Sequence, residues 1–130
     1  MPTPNTPLRS TFKKTERLCS KKRIEQLFGA GNKSLTAYPL RAICMTEERE
    51  GMPVEVLISI SKRHLKRAVD RNRIKRLIRE AYRRHKYIVW NALGQKRIAL
   101  AFLWTSNEIA SYPVVEQKVQ NLLQRIAEKL

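Results

Sequence analysis

The sequence is short of acidic residues. Its 130 residues include 27 Lys and Arg but only 11 Asp and Glu, and Asp70 is the single aspartate. A nuclease that cuts with two metal ions needs clustered carboxylates to hold them, whereas the glutamates here are scattered or lie in the segment EERE at 47–50. Because no GxxxxGK, GxGxxG or GxSxG motif occurs either, the sequence predicts no catalytic residue and no metal site within the protein itself.

Long apolar runs and cysteines are also scarce. The seven apolar residues in RIALAFLW, at 97–104, fall far short of the roughly 20 residues of a membrane span. The opening stretch MPTPNTPLRS lacks the apolar core of a signal peptide. Cys19 and Cys44 show neither CxxC nor metal-ligand spacing, so we expect reduced structural thiols. These absences predict a cytoplasmic protein with no membrane partner and no small-molecule substrate.

Positive charge is abundant, and it is concentrated. The formal net charge is +16. Residues 62–86 hold twelve Lys and Arg against two acids, and residues 9–23 hold seven against one, whereas residues 107–130 have three of each. Such local charge indicates a patch for an anionic partner rather than a solvating coat.

The most basic segment, RAVDRNRIKRLIREAYRR at 67–84, also has helical periodicity and predicts a helix over 68–85. At roughly 100° per residue, one face collects the apolar side chains of Ile74, Leu77, Ile78 and Ala81. The adjoining face, here named the basic stripe, collects Arg71, Asn72, Lys75, Arg76, Arg79 and Arg83. Like charges four residues apart disfavour a helix, so we interpret the basic stripe as a surface for phosphates. The alternative is a solvated surface.

Residues near this charge leave several roles open. The amide of Asn72 could read a base edge, a 2′-OH or a hydrated metal ion, or Asn72 could be only a helix-start residue. An aromatic beside a positive groove can stack on an unpaired base. Phe12 lies in the basic context STFKKTER, outside the clear helices, whereas Phe28 could equally be a core residue.

Two further helices are predicted. Ser20 is a candidate cap for a helix that holds Ile24, Leu27 and Phe28 and ends at Gly29 or Gly31. The segment SYPVVEQKVQNLLQRIAEKL, at 111–130, predicts a helix capped by Ser111 with Pro113 in its first turn. The segment HKYIVWNALGQK, at 85–96, is ambiguous and could continue as a helical turn before Gly94.

Three segments predict strands, namely AYPLRAICMT, VEVLISIS and RIALAFLW, and one more short strand is possible. The order of elements predicts an α+β fold, a small two-layer α/β sandwich with about four strands and three helices. Residues 12–130 would form this single domain, and the Pro-rich residues 1–11 would form a flexible tail.

Two segments resemble the protein subunit of bacterial ribonuclease P. SKRHLKRAVDRNRIKRLIREAYR, at 61–83, resembles the long and specific RNR signature of that family, and FKKTERLCSKKRIEQLFGAG, at 12–31, resembles its N-terminal arm and first helix. The resemblance is good over residues 10–84 and only a matter of pattern in the last third. It implies a ribosomal protein-like sandwich with a four-stranded, mostly antiparallel sheet and the RNR helix in a left-handed βαβ crossover.

The resemblance also implies a function. In this family a large RNA uses Mg²⁺, which the RNA mainly holds, to remove the 5′ leader of precursor tRNA, and the protein assists this endonucleolytic step. The partners would be the ribonuclease P RNA and precursor tRNA. The residues implied to bind RNA are Lys62, Arg63, Lys66, Arg67, Arg71, Asn72, Arg73, Lys75, Arg76 and Arg79. Those implied to bind the leader are Phe12, Arg17, Phe28 and Tyr38.

The sequence departs from the family pattern at three places. Ile24 stands where many members have a second aromatic in the first helix, and His64-Leu65 stands where a glycine is common. The segment 85–96 is longer than the usual link to the next strand.

Two other classes remain as alternatives. A ribosomal or rRNA-binding structural protein would share the charge and the small fold, but it would not need the RNR run. A double-stranded DNA-binding module could insert the basic helix into a major groove, although no dimerisation element is visible in the sequence.

Overall fold

A computed structural model of the protein describes residues 14–29, 31–48 and 50–130. The expected tail at 1–11 and Phe12 therefore lie outside the described residues. After a short 3₁₀ turn the elements are α1 Lys21–Leu27, β1 Lys33–Ala37, β2 Leu40–Glu47, β3 Val54–Ile60, α2 Ala68–His85, α3 Tyr87–Leu93, β4 Arg97–Trp104 and α4 Tyr112–Lys129; the 3₁₀ turn is Lys14–Glu16.

The four strands form one sheet in the order β1-β2-β4-β3. β2 pairs antiparallel with both β1 and β4, whereas β3 pairs parallel with β4. Because β3 and β4 are parallel neighbours, the chain must cross over between them, and α2 and α3 lie within that crossover. The predicted α+β class with a mostly antiparallel four-stranded sheet is confirmed, while the left hand of the crossover stays a prediction from the resemblance.

The larger core lies between one face of the sheet, the inner face, and the three helices α2, α3 and α4. The inner face is built from alternate strand residues such as Ala42, Leu100 and Phe102, as the period of two requires. The helices contribute fully or almost fully buried residues, which are Ile74, Ile78, Ala81, Val89, Leu93, Val115, Val119, Leu122, Leu123 and Ile126. Each large aliphatic side chain among them contributes about 1.5–3 kcal/mol on burial, which is why α2 tolerates its repelling charges.

The opposite, outer face of the sheet carries a smaller core. Leu18 and Leu27 pack there against Ile43, Ala99 and Ala101. α1 is fixed to this face by Arg23, whose guanidinium donates two hydrogen bonds to Glu47 at 2.8 and 2.7 Å and one to Glu55 at 2.8 Å. These bonds, the one to Glu47 foremost, raise the pKa of Arg23 above its ordinary value. One side chain thus ties α1 to the ends of β2 and β3.

The ambiguous segment 85–96 forms a helix of its own, so the described residues contain four α-helices where three were expected. α3 ends at Gly94, whose φ of 61° is a conformation that favours glycine. The cap expected at Ser20 is present, since its hydroxyl accepts from Arg23 N at 3.4 Å. Ser111 does precede α4, but its side chain makes no capping hydrogen bond, so that part of the expectation was wrong.

The additional short strand is β1, with the sequence KSLTA, of which only Ala37 lay in a predicted strand segment. Its polar residues Lys33, Ser34 and Thr36 are exposed and only Leu35 is buried, so its sequence resembles a loop. Tyr38, at the turn to β2, is 65% exposed.

The two cysteines differ in environment. Neither is in a disulfide; Cys44 is buried, and burial raises the pKa of its thiol to about 11, whereas Cys19 is exposed. The expectation of a structural thiol therefore fits Cys44 alone. Within the described residues, no helix is both long and apolar enough to cross a membrane.

Candidate nucleic-acid interface

The two faces predicted for α2 are present. Ile74, Ile78 and Ala81 have no exposed surface, and Leu77 packs partly buried against the same core. Asn72, Arg73 and Arg76 are exposed on the other side, with Arg71, Lys75 and Arg79 partly exposed. Tyr82, on the same helix, is also fully buried, and burial raises the pKa of its hydroxyl.

The loop before α2 continues the exposed charge. Lys62, Arg63, Lys66 and Arg67 are all exposed. The loop is anchored by Leu65, which is 4% exposed, and by a bond between His64 Nδ1 and Asn107 Oδ1 at 3.1 Å. Leu65 and His64 thus fix the loop to the core and to the segment after β4. Beside it lies an open cavity of about 500 Å³, lined by Arg63, His64, Leu65, Lys66, Arg67, Asp70 and Asn107.

Arg71 has a role that helical periodicity could not reveal. Its Nη1 donates hydrogen bonds to the backbone oxygens of Leu65 and Lys66, both at 2.9 Å. These carbonyls lie just before α2, where the chain changes from loop to helix. Arg71 therefore supports the loop that carries Lys62, Arg63, Lys66 and Arg67, in addition to lying on the basic stripe.

We expect Arg71→Ala to loosen this loop in the free protein. The amides of His64 and Leu65 donate to Ser61 O, and their hydrogen exchange should become about fivefold faster, since a hydrogen bond contributes about 1 kcal/mol. Arg71→Lys should keep part of the protection because an ammonium can still donate to both oxygens. Arg73→Ala, at an exposed position of the same helix, is the matched control; equal exchange in Arg71→Ala and Arg73→Ala would contradict the supporting role.

A cleft of about 190 Å³ lies between α2 and the segment that precedes α1. Three cations surround it, namely Arg17, Lys75 and Arg79, and its floor is formed by Val56, Leu57 and Ile58. The backbone of Arg17 is held there by an isolated parallel β-bridge to Val56, in which Leu18 N donates to Val56 O at 2.8 Å. Burial, followed by the charge of Arg17, lowers the pKa of Arg79. An anionic ligand would relieve the repulsion between these cations.

The residues implied to bind a leader do not all meet in this cleft. Arg17 lines it together with two residues of the basic stripe, whereas Phe28 and Tyr38 do not. Phe28 follows α1 and is 46% exposed, so the core alternative for Phe28 is not favoured. Ile24 is partly buried in the smaller core, and Phe12 lies outside the described residues.

Several residues of this surface had no signal in the sequence. Cys19 and the strand residues 56–58 reach the cleft only because the 14–19 segment runs along the edge of β3. Asn107 reaches the loop before α2 from a distant part of the chain. Within the described ranges, no three His, Cys, Asp or Glu side chains are grouped so that they could hold a metal ion.

The fold and this surface define a small α+β protein whose basic helix and adjoining cleft suit a polyanion. The sequence model of the family Ribonuclease P matches residues 12–127. The ribonuclease P protein component of Porphyromonas gingivalis is 38% identical over 117 residues, which cover 88% of this chain and 85% of that protein. The chain therefore belongs to the ribonuclease P protein family.

Other relatives agree with this assignment. The ribonuclease P protein component of Chlorobaculum tepidum is 34% identical over 117 residues, which cover 82% of this chain and 76% of that protein. Among solved structures, the RNase P protein from Thermotoga maritima has a TM-score of 0.67 at 25% identity, covering 85% of this chain and 97% of that one. A Staphylococcus aureus RNase P protein mutant, at 20% identity, has a TM-score of 0.71 with 93% and 95% coverage and shows the same fold.

Proposed function

We propose that this chain is the protein subunit of a cytoplasmic ribonuclease P, in which it binds the catalytic RNA and the 5′ leader of precursor tRNA. The holoenzyme removes the leader by a Mg²⁺-dependent endonucleolytic cut and leaves the mature 5′ end. The relatives named above carry the name ribonuclease P protein component. Their similarity to this chain supports the same role for it.

The observation that carries the proposal is the continuity of the charged surface. The exposed cations of the loop at 62–67 lead into the exposed face of α2, and Lys75 and Arg79 of α2 line the cleft that also receives Arg17. The loop and helix offer guanidinium groups suited to the phosphates of a folded RNA. The cleft, with its apolar floor, suits a single strand that presents both phosphates and base faces.

The proposal assigns cleavage to the RNA subunit and binding to the protein. The RNA would hold Mg²⁺ at the scissile phosphate, and the protein would supply positive charge that neutralises nearby phosphates. The two acidic residues of α2 suit structural rather than catalytic roles. Glu80 accepts two hydrogen bonds from Arg83, which hold the pKa of Glu80 below its ordinary value. Asp70 lies in the first turn, where a negative charge interacts favourably with the helix dipole.

Reconstitution tests this function. With a ribonuclease P RNA at low Mg²⁺, the protein should increase kcat/KM for leader removal by about tenfold or more, as a few charge-assisted hydrogen bonds would provide. The protein alone should cut neither RNA. The reconstituted holoenzyme should bind mature tRNA more weakly than precursor tRNA. A lack of stimulation with every compatible RNA subunit would reject the proposal, and cleavage by rigorously RNA-free protein would reject the assignment of catalysis to the RNA.

A further inference from the structure

A buried ion pair joins the N-terminal segment to the junction of α2 and α3. Lys86 Nζ donates a hydrogen bond to Glu16 Oε1 at 2.7 Å, although the two residues are 70 positions apart. The side chains are only 3% and 1% exposed. A charge at such depth is costly unless it is paired and hydrogen-bonded. Each of these two residues therefore restrains the other, since separation would leave both charges buried without their ionic partner.

α3 builds the site in which Lys86 sits. Lys86 Nζ lies 4.6 Å from the centroid of the Trp90 ring and 5.7 Å from that of Tyr87, both within the range of a cation–π interaction. The two rings meet edge to face at 5.3 Å, and Trp90 Nε1 donates to the Tyr82 hydroxyl at 3.1 Å. The segment 86–90 thus forms a fixed aromatic cage around one lysine.

The other end of the pair lies next to the cleft. Glu16 is followed by Arg17, which pairs with Val56 at the edge of β3 and lines the cleft with Lys75 and Arg79. Leu18, the next residue, is buried under the outer face and donates its amide to Val56 O. The ion pair is therefore one residue from the cation that the N-terminal segment brings to the cleft.

Stability alone explains this pair poorly. Replacing a buried ion pair by apolar side chains of similar volume is often neutral or stabilising, so the overall stability of the fold does not require this pair. A charge-assisted hydrogen bond differs in that it is short and directional. With Lys86 fixed by its cage, that bond selects one position for Glu16.

We propose that Lys86 is a positioning residue for leader recognition: held by Trp90 and Tyr87, it fixes Glu16 and so sets the place of Arg17 in the cleft. That the ligand is the leader of precursor tRNA rests on the proposed function. The placement of the segment does not, because it can be measured in the protein without RNA.

The decisive variant replaces the pair by apolar residues, Glu16→Leu together with Lys86→Met, which we expect to fold with stability close to that of the wild type. Hydrogen exchange at the Leu18 amide in the free protein should become about tenfold faster. In the holoenzyme, the gain in affinity for precursor over mature tRNA should fall by about tenfold, the effect of removing one charge-assisted hydrogen bond, while affinity for mature tRNA stays unchanged. Glu16→Gln, which keeps the size and the acceptor oxygen, should retain most of the gain.

Lys96→Met is the matched control, since Lys96 is exposed beyond the end of α3, and it should behave as wild type in both measurements. A full leader-dependent gain in the apolar variant would overturn the proposal, as would equal weakening for precursor and mature tRNA, which would show a merely structural role. If wild-type protein shows no leader-dependent gain at all, the proposed function fails instead. The hydrogen exchange of the Leu18 amide then still tests whether the Lys86–Glu16 pair positions the N-terminal segment. Faster exchange in the apolar variant supports this role of the pair, and unchanged exchange overturns it.

Discussion

Replacing Arg67, Arg73 and Arg76 together by alanine should weaken binding to a ribonuclease P RNA about a hundredfold at physiological salt. All three side chains are exposed on α2 or immediately before it. Each cation that binds a phosphate releases counterions, so a plot of log affinity against log salt should become shallower by about 0.7–0.9 for each phosphate-binding cation removed, or roughly 2–3 for all three. Titrations at several salt concentrations measure both quantities at once.

The matched control removes the same charge elsewhere. Lys96, Lys118 and Lys129 lie between α3 and β4 or on α4, outside the surface assigned to RNA. Replacing all three by alanine lowers the net charge by the same amount, but it should leave the salt slope nearly unchanged. If both triple variants reduced the affinity and the slope equally, the binding would depend on overall charge, and the surface around α2 would not be the interface.

The sequence was informative about α2 because the relevant signal is local. A helix repeats every 3.6 residues, so Ile74 and Ile78 had to share a face, and the exposed side had to carry Asn72 and Arg76. Burial follows this division. The strand segments VEVLISIS and RIALAFLW were recognisable for the same reason, since β-branched and apolar residues suit buried strands.

The interactions that organise the candidate site are not local. Lys86 meets Glu16 across 70 positions, and Arg23 meets Glu47 and Glu55 across 24 and 32. No periodicity relates such residues, so nothing in the sequence pattern indicates that the N-terminal segment is pinned beside the cleft. Arg71 shows a second limit: the angle of a residue on a helix does not say whether its long side chain turns to solvent or back to carbonyls of the preceding loop.

Phe28 shows how an ambiguous residue can be resolved by an experiment with an internal control. From the sequence it could belong equally to the core or to a ligand surface, and it is 46% exposed. Phe102, on the inner strand β4, is fully buried and meets the Tyr82 ring edge to face at 6.2 Å. The same substitution at the two positions removes the same atoms from opposite environments.

Phe102→Ala should lower the free energy of unfolding by about 3–5 kcal/mol, because a large cavity would remain between the sheet and α2. Phe28→Ala should lower it by less than about 1 kcal/mol, as for most exposed positions. Denaturant titrations with both variants measure the two values under the same conditions. Decreases of similar size would place Phe28 in the core and remove it from the surface assigned to the leader.

A small decrease in stability makes Phe28→Ala informative about function, since the variant remains folded. Stacking of one base on an aromatic ring contributes about 1–3 kcal/mol, so affinity for precursor tRNA should fall by roughly fivefold to a hundredfold if Phe28 stacks on the leader. Affinity for mature tRNA should not change, because it lacks the leader. Equal weakening for both RNAs would indicate that the ring of Phe28 contacts the RNA subunit rather than the leader. Unchanged affinity for both would show that Phe28, although exposed at the end of α1, has no part in binding.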